Sequence, residues 1–434
     1  MPPTVTLSTT AISEAPGRVA LGRAGLSLGR RFLIHLARQV EHGQLLFHLP
    51  SGETIHHTGP HPGPGASLVL HRWRAVRRGL LGGDIGFAEA YMDGDWSTPN
   101  LTSLIELVAR NHTTMLPALD GSRFARLMHR LLHLLRSNTK RGSRRNIPAH
   151  YDLGNAFYAA WLDAGMTYSS GFYEDGTTTL ERAQFAKQDL VMDALALNGG
   201  ESVLEIGCGW GGLAERLALE HGCHVVGLTL SPAQLEHAST RLPGCRVPGP
   251  LSSGPPTGTV LTGTIALRRR DYRDVEGTFD RVVSIEMLEA VGKEYWPVYF
   301  SRVRDRLRPG GVGVLQVITM AEERYSAYER GTDFIQRYIF PGGMLPSDSA
   351  MRAHIEASGL VLDGVRNFGA SYARTLADWQ ARFQRAWPRL RTMGFDERFK
   401  RKWEYYLSYC EAGFRAGALD VGLYRLHRPA NGAG

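Results

Sequence analysis

Apolar positions along the chain follow first one period, then another. Phe32, Leu33, Leu36, Ala37 and Val40 recur at helical spacing, so Arg31–Val40 reads as a helix with one buried face. Residues 43–72 read instead as short strands, and the Gly/Pro-rich stretch Gly59–Gly65 predicts the turn that breaks them. Leu80–Trp96 predicts a helix closing in a turn, and Leu101–Arg110 a further amphipathic helix. In Gly121–Arg136, Leu127, Met128, Leu131, Leu132, Leu134 and Leu135 form a wide apolar face, with Arg123, Arg126, Arg130, Arg136, His129 and His133 around it. Such a helix suits packing on its own domain, and it also suits lying on an anionic membrane. Ser137–Arg145 has no apolar residue and reads as a linker. It divides an N-terminal α+β accessory domain (1–140) from a larger domain (141–434).

In the larger domain strands alternate with helices. Val203–Ile206, Val225–Leu228, Ile265–Leu267, Asp280–Ser284 and Val312–Ile318 read as buried strands, the last entered through a Pro309-Gly310-Gly311 turn. Glu181–Leu197 and the stretch from Leu213 read as helices. This rhythm predicts an α/β fold, a doubly wound and mostly parallel sheet, with its ligand at the carboxyl ends of the strands. Pro243–Gly263 interrupts the rhythm and reads as a surface insertion. Tyr325, Tyr328, Phe334, Tyr338 and Phe340, and helical patterns around Trp379–Leu390 and Phe399–Ala416, supply aromatics either for the core or for an acyl chain.

Candidate chemistry centres on Val203–Glu215, VLEIGCGWGGLAE. Gly207, Gly209, Gly211 and Gly212 turn the chain from strand to helix, which exposes bare backbone at a helix N-terminus. The spacing Gly207, Gly209, Gly212 also satisfies G-x-G-x-x-G, so a dinucleotide has to be weighed. That ligand needs an acid at the end of the second strand, where Thr229-Leu230-Ser231 stands instead. Glu205 lies where a carboxylate can face a cationic, amino-bearing ligand, and S-adenosylmethionine fits best. Asp271, at a later strand end, is placed to meet an adenine amino group.

Composition narrows the field modestly. The 434 residues are 43% hydrophobic and 21% charged, as in soluble globular proteins, and no stretch nears the ~20 apolar residues of a membrane span. The first residues lack an apolar core flanked by cations, so no secretory signal is expected. Four cysteines without C-x-x-C spacing predict neither a zinc site nor a disulfide framework, and a reducing cytosol is the expected home. His56, His57 and His61 are joined by no carboxylate or thiol and read as a solvated hairpin, so no metal is expected. A net charge of +8 favours anionic partners, phospholipid head groups among them.

Several motifs resemble the cyclopropane-fatty-acyl-phospholipid synthase family of S-adenosylmethionine-dependent methyltransferases. They are HYDLGN (150–155), MTYSSGFY (166–173), VLEIGCGWGGLA (203–214), VVGLTLSPAQL (225–235), RDYRD (270–274), FDRVVSIEMLEAVG (279–292), DFIQRYIFPGGMLPS (333–347) and NFGASYARTLADW (367–379). The resemblance implies a class I, Rossmann-like catalytic domain that moves a methyl group to the double bond of an unsaturated phospholipid acyl chain. The resulting carbocation loses a proton and closes to a cyclopropane; relatives make methylene or methyl-branched chains.

In the family a bound bicarbonate accepts the proton, and the positions matching its site are Ser170, Glu289, Gln316, Ile318 and Tyr372. Ser170 stands where cysteine is usual and Gln316 where histidine is, as in a division of the family that includes plant enzymes. Gln cannot carry a proton as His can, so the anion and the fate of the cation stay open at this point. For the cofactor the resemblance and the residues together nominate Tyr168, Ser169, Glu205, Gly207, Gly209, Gly211, Thr229, Leu230, Ser231, Gln234, Asp271 and Tyr272. Rings such as Tyr168 or Phe172 suit a cation, by cation–π contact. The expected partners are phospholipid acyl chains and the inner membrane face, met peripherally from the cytoplasm, with a homodimer allowed. Nucleic acid is not expected, for want of an Asn/Asp-Pro-Pro-Tyr-type motif. The competing reading is a non-catalytic lipid-binding protein that kept the fold.

Overall fold

A computed structural model describes residues 23–119, 153–174, 179–242 and 263–430. The basic amphipathic stretch 121–136, the linker 137–145, the domain boundary near 140 and nearly all of the 243–263 insertion lie outside the described residues.

Two sheets organise the described residues. The smaller has the order β2-β1-β3-β4, formed by β1 (His42–His48), β2 (Thr54–Thr58), β3 (His61–Leu70) and β4 (Trp96–Ser97). The Gly59–Gly65 stretch is mostly strand, not turn: β3 begins at His61 and runs parallel to β1, with a register shift between His42 and Gln44. Glycine there permits close approach, since a Cβ at Gly63 would lie 2.7 Å from the backbone of His42 and Gly43. Helices Arg23–Arg38, Arg74–Met92 and Leu101–Arg110 accompany this sheet. Asn111 clamps it: Oδ1 accepts from the N–H groups of Glu41 and His42 (2.8 Å each), and Nδ2 donates to the carbonyls of His42 and Leu107.

The larger sheet has the order β10-β11-β9-β8-β5-β6-β7. Its strands are β5 (Ser202–Ile206), β6 (His224–Thr229), β7 (Thr264–Arg269), β8 (Phe279–Ile285), β9 (Leu307–Met320), β10 (Val361–Asn367) and β11 (Leu419–His427). The first five pair in parallel; β11 and β10 add antiparallel. Pro309-Gly310-Gly311 is not a separate turn. It lies inside β9, where the register against β8 slips between Phe279 and Arg281. Buried Val203, Leu204 and Ile206 make β5 a central strand covered on both faces. Its neighbours β6 and β8 lie on opposite sides, so the chain winds away in two directions and leaves a crevice beyond the carboxyl ends.

The N-terminal part sits on the long helices Gly369–Thr392 and Glu397–Arg415, and residues of both parts share one hydrophobic core. Tyr91 donates to Glu404 and Thr102 to Glu411, each at 3.0 Å, between largely buried groups.

Candidate active site

The glycine turn after β5 is built as its sequence demands. Gly207 and Gly209 have φ of +85° and +53°, which L side chains rarely adopt, and they present bare backbone to a cavity of about 170 Å³. Asn155, from the HYDLGN motif, braces the turn: its Oδ1 accepts from Trp210 Nε1 (2.8 Å) and its Nδ2 donates to the Ala233 carbonyl (2.9 Å).

Of the predicted cofactor residues, Tyr168, Ser169, Glu205, Gly207, Gly209, Thr229, Leu230, Gln234 and Tyr272 line this cavity. Three do not. Gly211 is the N-cap of the helix Gly212–His221, facing Leu242 and Ala238, and Gly212 takes its place on the wall. Ser231 caps the helix Pro232–Arg241 through its hydroxyl. Asp271 is clasped by Arg273, whose Nε and Nη2 donate at 2.8 and 2.7 Å, so an adenine contact from Asp271 competes with a buried ion pair. Phe172 also faces elsewhere, lying under the Arg366 guanidinium.

Glu205 is buried, and its Oε2 has no hydrogen-bond partner among the described residues. Burial pushes its carboxyl up to about 7 against an opposing pull from Lys187. An unpaired carboxylate oxygen beside glycine backbone suits a ligand that brings a cation and amino donors, so the residues present fit S-adenosylmethionine.

Lys187, on the buried face Ala183–Lys187–Val191 of the helix Leu180–Leu195, also lines the cavity. Its Nζ donates to Ser169 Oγ at 2.9 Å, and burial lowers it to about 8 despite the charges of Glu286, Asp163 and Glu205.

The second constellation lies where β8 and β9 end. Ser170, Gln316 and Tyr372 do converge on one acidic group, and that group is a side chain absent from the sequence-based set. The Glu286 Oε1 accepts from the Ser170 N–H (2.9 Å) and Gln316 Nε2 (2.7 Å); its Oε2 accepts from the Tyr372 hydroxyl (2.6 Å). Glu286 follows directly on β8 and has a φ of +49°, a left-handed conformation costing a non-glycine residue ~1–2 kcal/mol. It lines the donor cavity as well. Burial raises its carboxyl above the ordinary range, while the three donors and Lys187 hold it down.

Glu289 is arranged differently. Its Oε1 accepts from the Ile318 N–H (2.7 Å), its buried Oε2 has no partner among the described residues, and burial with the nearby Glu286 charge pushes it up to about 8. Ser170 turns its hydroxyl to the Gly171 carbonyl, so only its backbone serves the cluster. Bicarbonate at the five expected positions would need donors that Glu286 already holds, and it would sit against two carboxyl groups. The residues as folded do not fit it. Glu286 and Lys187 carried a signal in the sequence: an acid directly after a central strand, and a lysine at helical spacing between Ala183 and Val191.

Aromatic rings close the site, with Tyr168 against Trp379 (5.3 Å between centroids), Tyr158 (5.5 Å) and Trp161 (5.8 Å). The Tyr168 and Tyr406 hydroxyls share a hydrogen bond of 2.7 Å.

Sheet order, glycine turn and cavity together define a class I, S-adenosylmethionine-dependent methyltransferase. The family model for mycolic acid cyclopropane synthetase matches residues 138–423, and the chain belongs to that family. The chain is 38% identical over 382 residues to the tuberculostearic acid methyltransferase UfaA1 of Mycobacterium tuberculosis, covering 83% of each. To the cyclopropane-fatty-acyl-phospholipid synthase of Escherichia coli it is 36% identical over 351 residues, covering 81% of this chain and 84% of that one. Among solved structures, the mycolic acid cyclopropane synthase CmaA1 complexed with SAH and CTAB superposes with a TM-score of 0.59 at 29% identity, over 66% of this chain and 98% of that one. The protein is thus a methyltransferase of the cyclopropane-fatty-acyl-phospholipid synthase type.

Proposed function

We propose that this enzyme methylates the double bond of an unsaturated phospholipid acyl chain and closes the product to a cyclopropane. One observation carries the reading. The donor cavity and the buried carboxyl cluster share a wall at Glu286, so an acyl carbon beside the donor would have a proton acceptor within reach in a space lined by Tyr168, Trp210 and Tyr272.

When bound, S-adenosylmethionine supplies an electrophilic methyl group on a sulfonium. Glu205 and the Gly207–Gly209 backbone would hold its amino-acid end; Thr229, Gln234 and Tyr272 would hold the nucleoside. An alkene is a weak nucleophile, so the chain's task is to fix it close to the methyl in a dry pocket. Tyr168, packed among Tyr158, Trp161 and Trp379, offers a ring face that steadies the developing cation and keeps water away. Tyr372, Gln316 and the Ser170 N–H orient the acidic group that receives the proton, and Ile318 fixes Glu289 beside it.

Methyl-labelled donor and unsaturated phosphatidylglycerol vesicles test this: label should enter the acyl chains, and gas chromatography–mass spectrometry should show a ring. Label in a water-soluble product alone would refute the lipid assignment. The similarity to a tuberculostearic acid methyltransferase supports a second outcome, a methylene- or methyl-branched chain. Only an exocyclic methylene retains a double bond that takes up dimethyl disulfide. No helix among the described residues is long and apolar enough to cross a membrane. Access to acyl chains therefore rests, in this proposal, on peripheral docking aided by the net charge of +8.

A further inference from the structure

We propose that the Glu286 carboxylate is the proton acceptor of the reaction, a base built into the chain where a dissociable anion would otherwise sit. This rests on the alkene-methylation reading above and names the group that completes it.

Three donors from three different elements converge on Glu286: a loop N–H at Ser170, an amide on β9 at Gln316 and a hydroxyl on the helix Gly369–Thr392 at Tyr372. Such a constellation is what holds a small planar anion, and here the anion is tethered. Its tether is strained, since a φ of +49° is natural to glycine and not to glutamate. The chain keeps this conformation although a glycine would relieve it, and the strained backbone delivers the carboxylate to the cavity wall. Glu289, its neighbour, is poorly suited to the role: with one oxygen pinned by the Ile318 N–H and its carboxyl pushed up to about 8, it is neutral at physiological pH. Burial raises the Glu286 carboxyl, but Tyr372, Ser170, Lys187 and Gln316 all pull it back toward the charged form, an arrangement of donors that Glu289 lacks.

The step balances. The S–CH3 bond breaks, the alkene π pair forms the new C–CH3 bond, and the neighbouring carbon becomes cationic. A Glu286 oxygen takes a proton from the new methyl group, and the freed C–H pair closes the third side of the ring. The proton leaves Glu286 for water once the products have vacated the cavity.

Wild-type enzyme, Glu286→Gln and Glu286→Gly are assayed with labelled donor and unsaturated vesicles, in carbonate-free buffer and with added bicarbonate, while calorimetry follows S-adenosylhomocysteine binding. The wild type should be indifferent to bicarbonate. Glu286→Gln should bind the ligand normally yet turn over ~100-fold more slowly or worse, the typical loss of a general base. Glu286→Gly, which accepts the left-handed φ and opens the anion site, should recover activity as bicarbonate is added. Wild-type activity that collapses without bicarbonate, or a fully active Glu286→Gln, overturns the proposal. Because the wild-type arm needs no variant, a folding defect leaves the question answerable. Wild type that labels no lipid in either buffer refutes the function reading instead.

Discussion

Replacing Glu205 by glutamine should weaken donor binding and remove its pH dependence. The amide keeps the shape of the side chain and discards its charge. In the wild type the unpartnered Oε2 sits buried against the glycine turn, and the carboxyl titrates at about 7 because burial disfavours its charge. A hydrogen bond to a charged group contributes ~1.5–3 kcal/mol, which is ~10–150-fold in affinity. The sign with pH follows from the raised pKa. Below about 7 the free site is protonated, so an amino-bearing cation must first displace that proton. Wild-type affinity should therefore be full above neutrality and fall by up to ~10-fold per pH unit below it. Titration calorimetry between about pH 5.5 and 8.5, with S-adenosylmethionine and with S-adenosylhomocysteine, reads both effects. Both ligands carry the amino-acid end, so both should lose affinity in the variant. If Glu205→Gln binds within about twofold of wild type and keeps its pH slope, the carboxylate does not face the ligand.

Three further outcomes follow from the same geometry. Glu289 ionises near 4.5 when unfolded and at about 8 when folded, so the stability it contributes is full below pH 4.5 and drains away as pH rises toward 8. Denaturant melts of Glu289→Gln against wild type should show the variant gaining ~1 kcal/mol per pH unit across that window, and a gap constant with pH would contradict the assignment. Gly211→Ala forces an L side chain to a φ of +84° and places its Cβ 2.8 Å from Leu242 Cδ1; unfolding should show a loss of ~1–2 kcal/mol. Tyr91→Phe takes the hydroxyl from Glu404 Oε2 between the N-terminal part and the helix Glu397–Arg415. Its cost should be ~1–2 kcal/mol in a single cooperative transition, whereas two separated transitions would mean the parts fold independently.

Most of the fold was legible because its signals are local. The helix Leu101–Arg110 and the strands at Val203, Val225 and Asp280 fell within a residue of their observed ends, since buried parallel strands read as short unbroken apolar runs. The Gly59–Gly65 error has the opposite cause. Glycine and proline there report a close approach between β1 and β3, a tertiary fact that local turn propensity does not contain. The site divides in the same way. Glu205, Gly207 and Gly209 stand within one strand and the turn that follows it, and the motif that names them is contiguous. For Asp271 the sequence does not show that Arg273, two residues on, holds the same carboxylate. Glu286 escaped notice beside Glu289 because the choice between two acids three residues apart depends on which one Tyr372 and Gln316 reach. Those donors come from residues 30 and 86 positions further on.

The charges around the cavity suggest why its acids are divided in this way. Lys187 stands among Glu205 and Glu286 as the one cation lining the cavity beside two acids, and a neutral Glu289 adds no further charge to them. Such a surplus of acids suits a sulfonium ligand. In the proposed reaction the positive charge would pass to the acyl chain and then, with the proton, to Glu286, across a field already set by fixed groups. Were Glu289 ionised as well, the cation would be held more tightly before reaction and the gain in the transition state would shrink. Burial, the dry Oε2 and the nearby Glu286 outweigh the Ile318 N–H that favours the charged form, and so keep that second charge away without removing the acid.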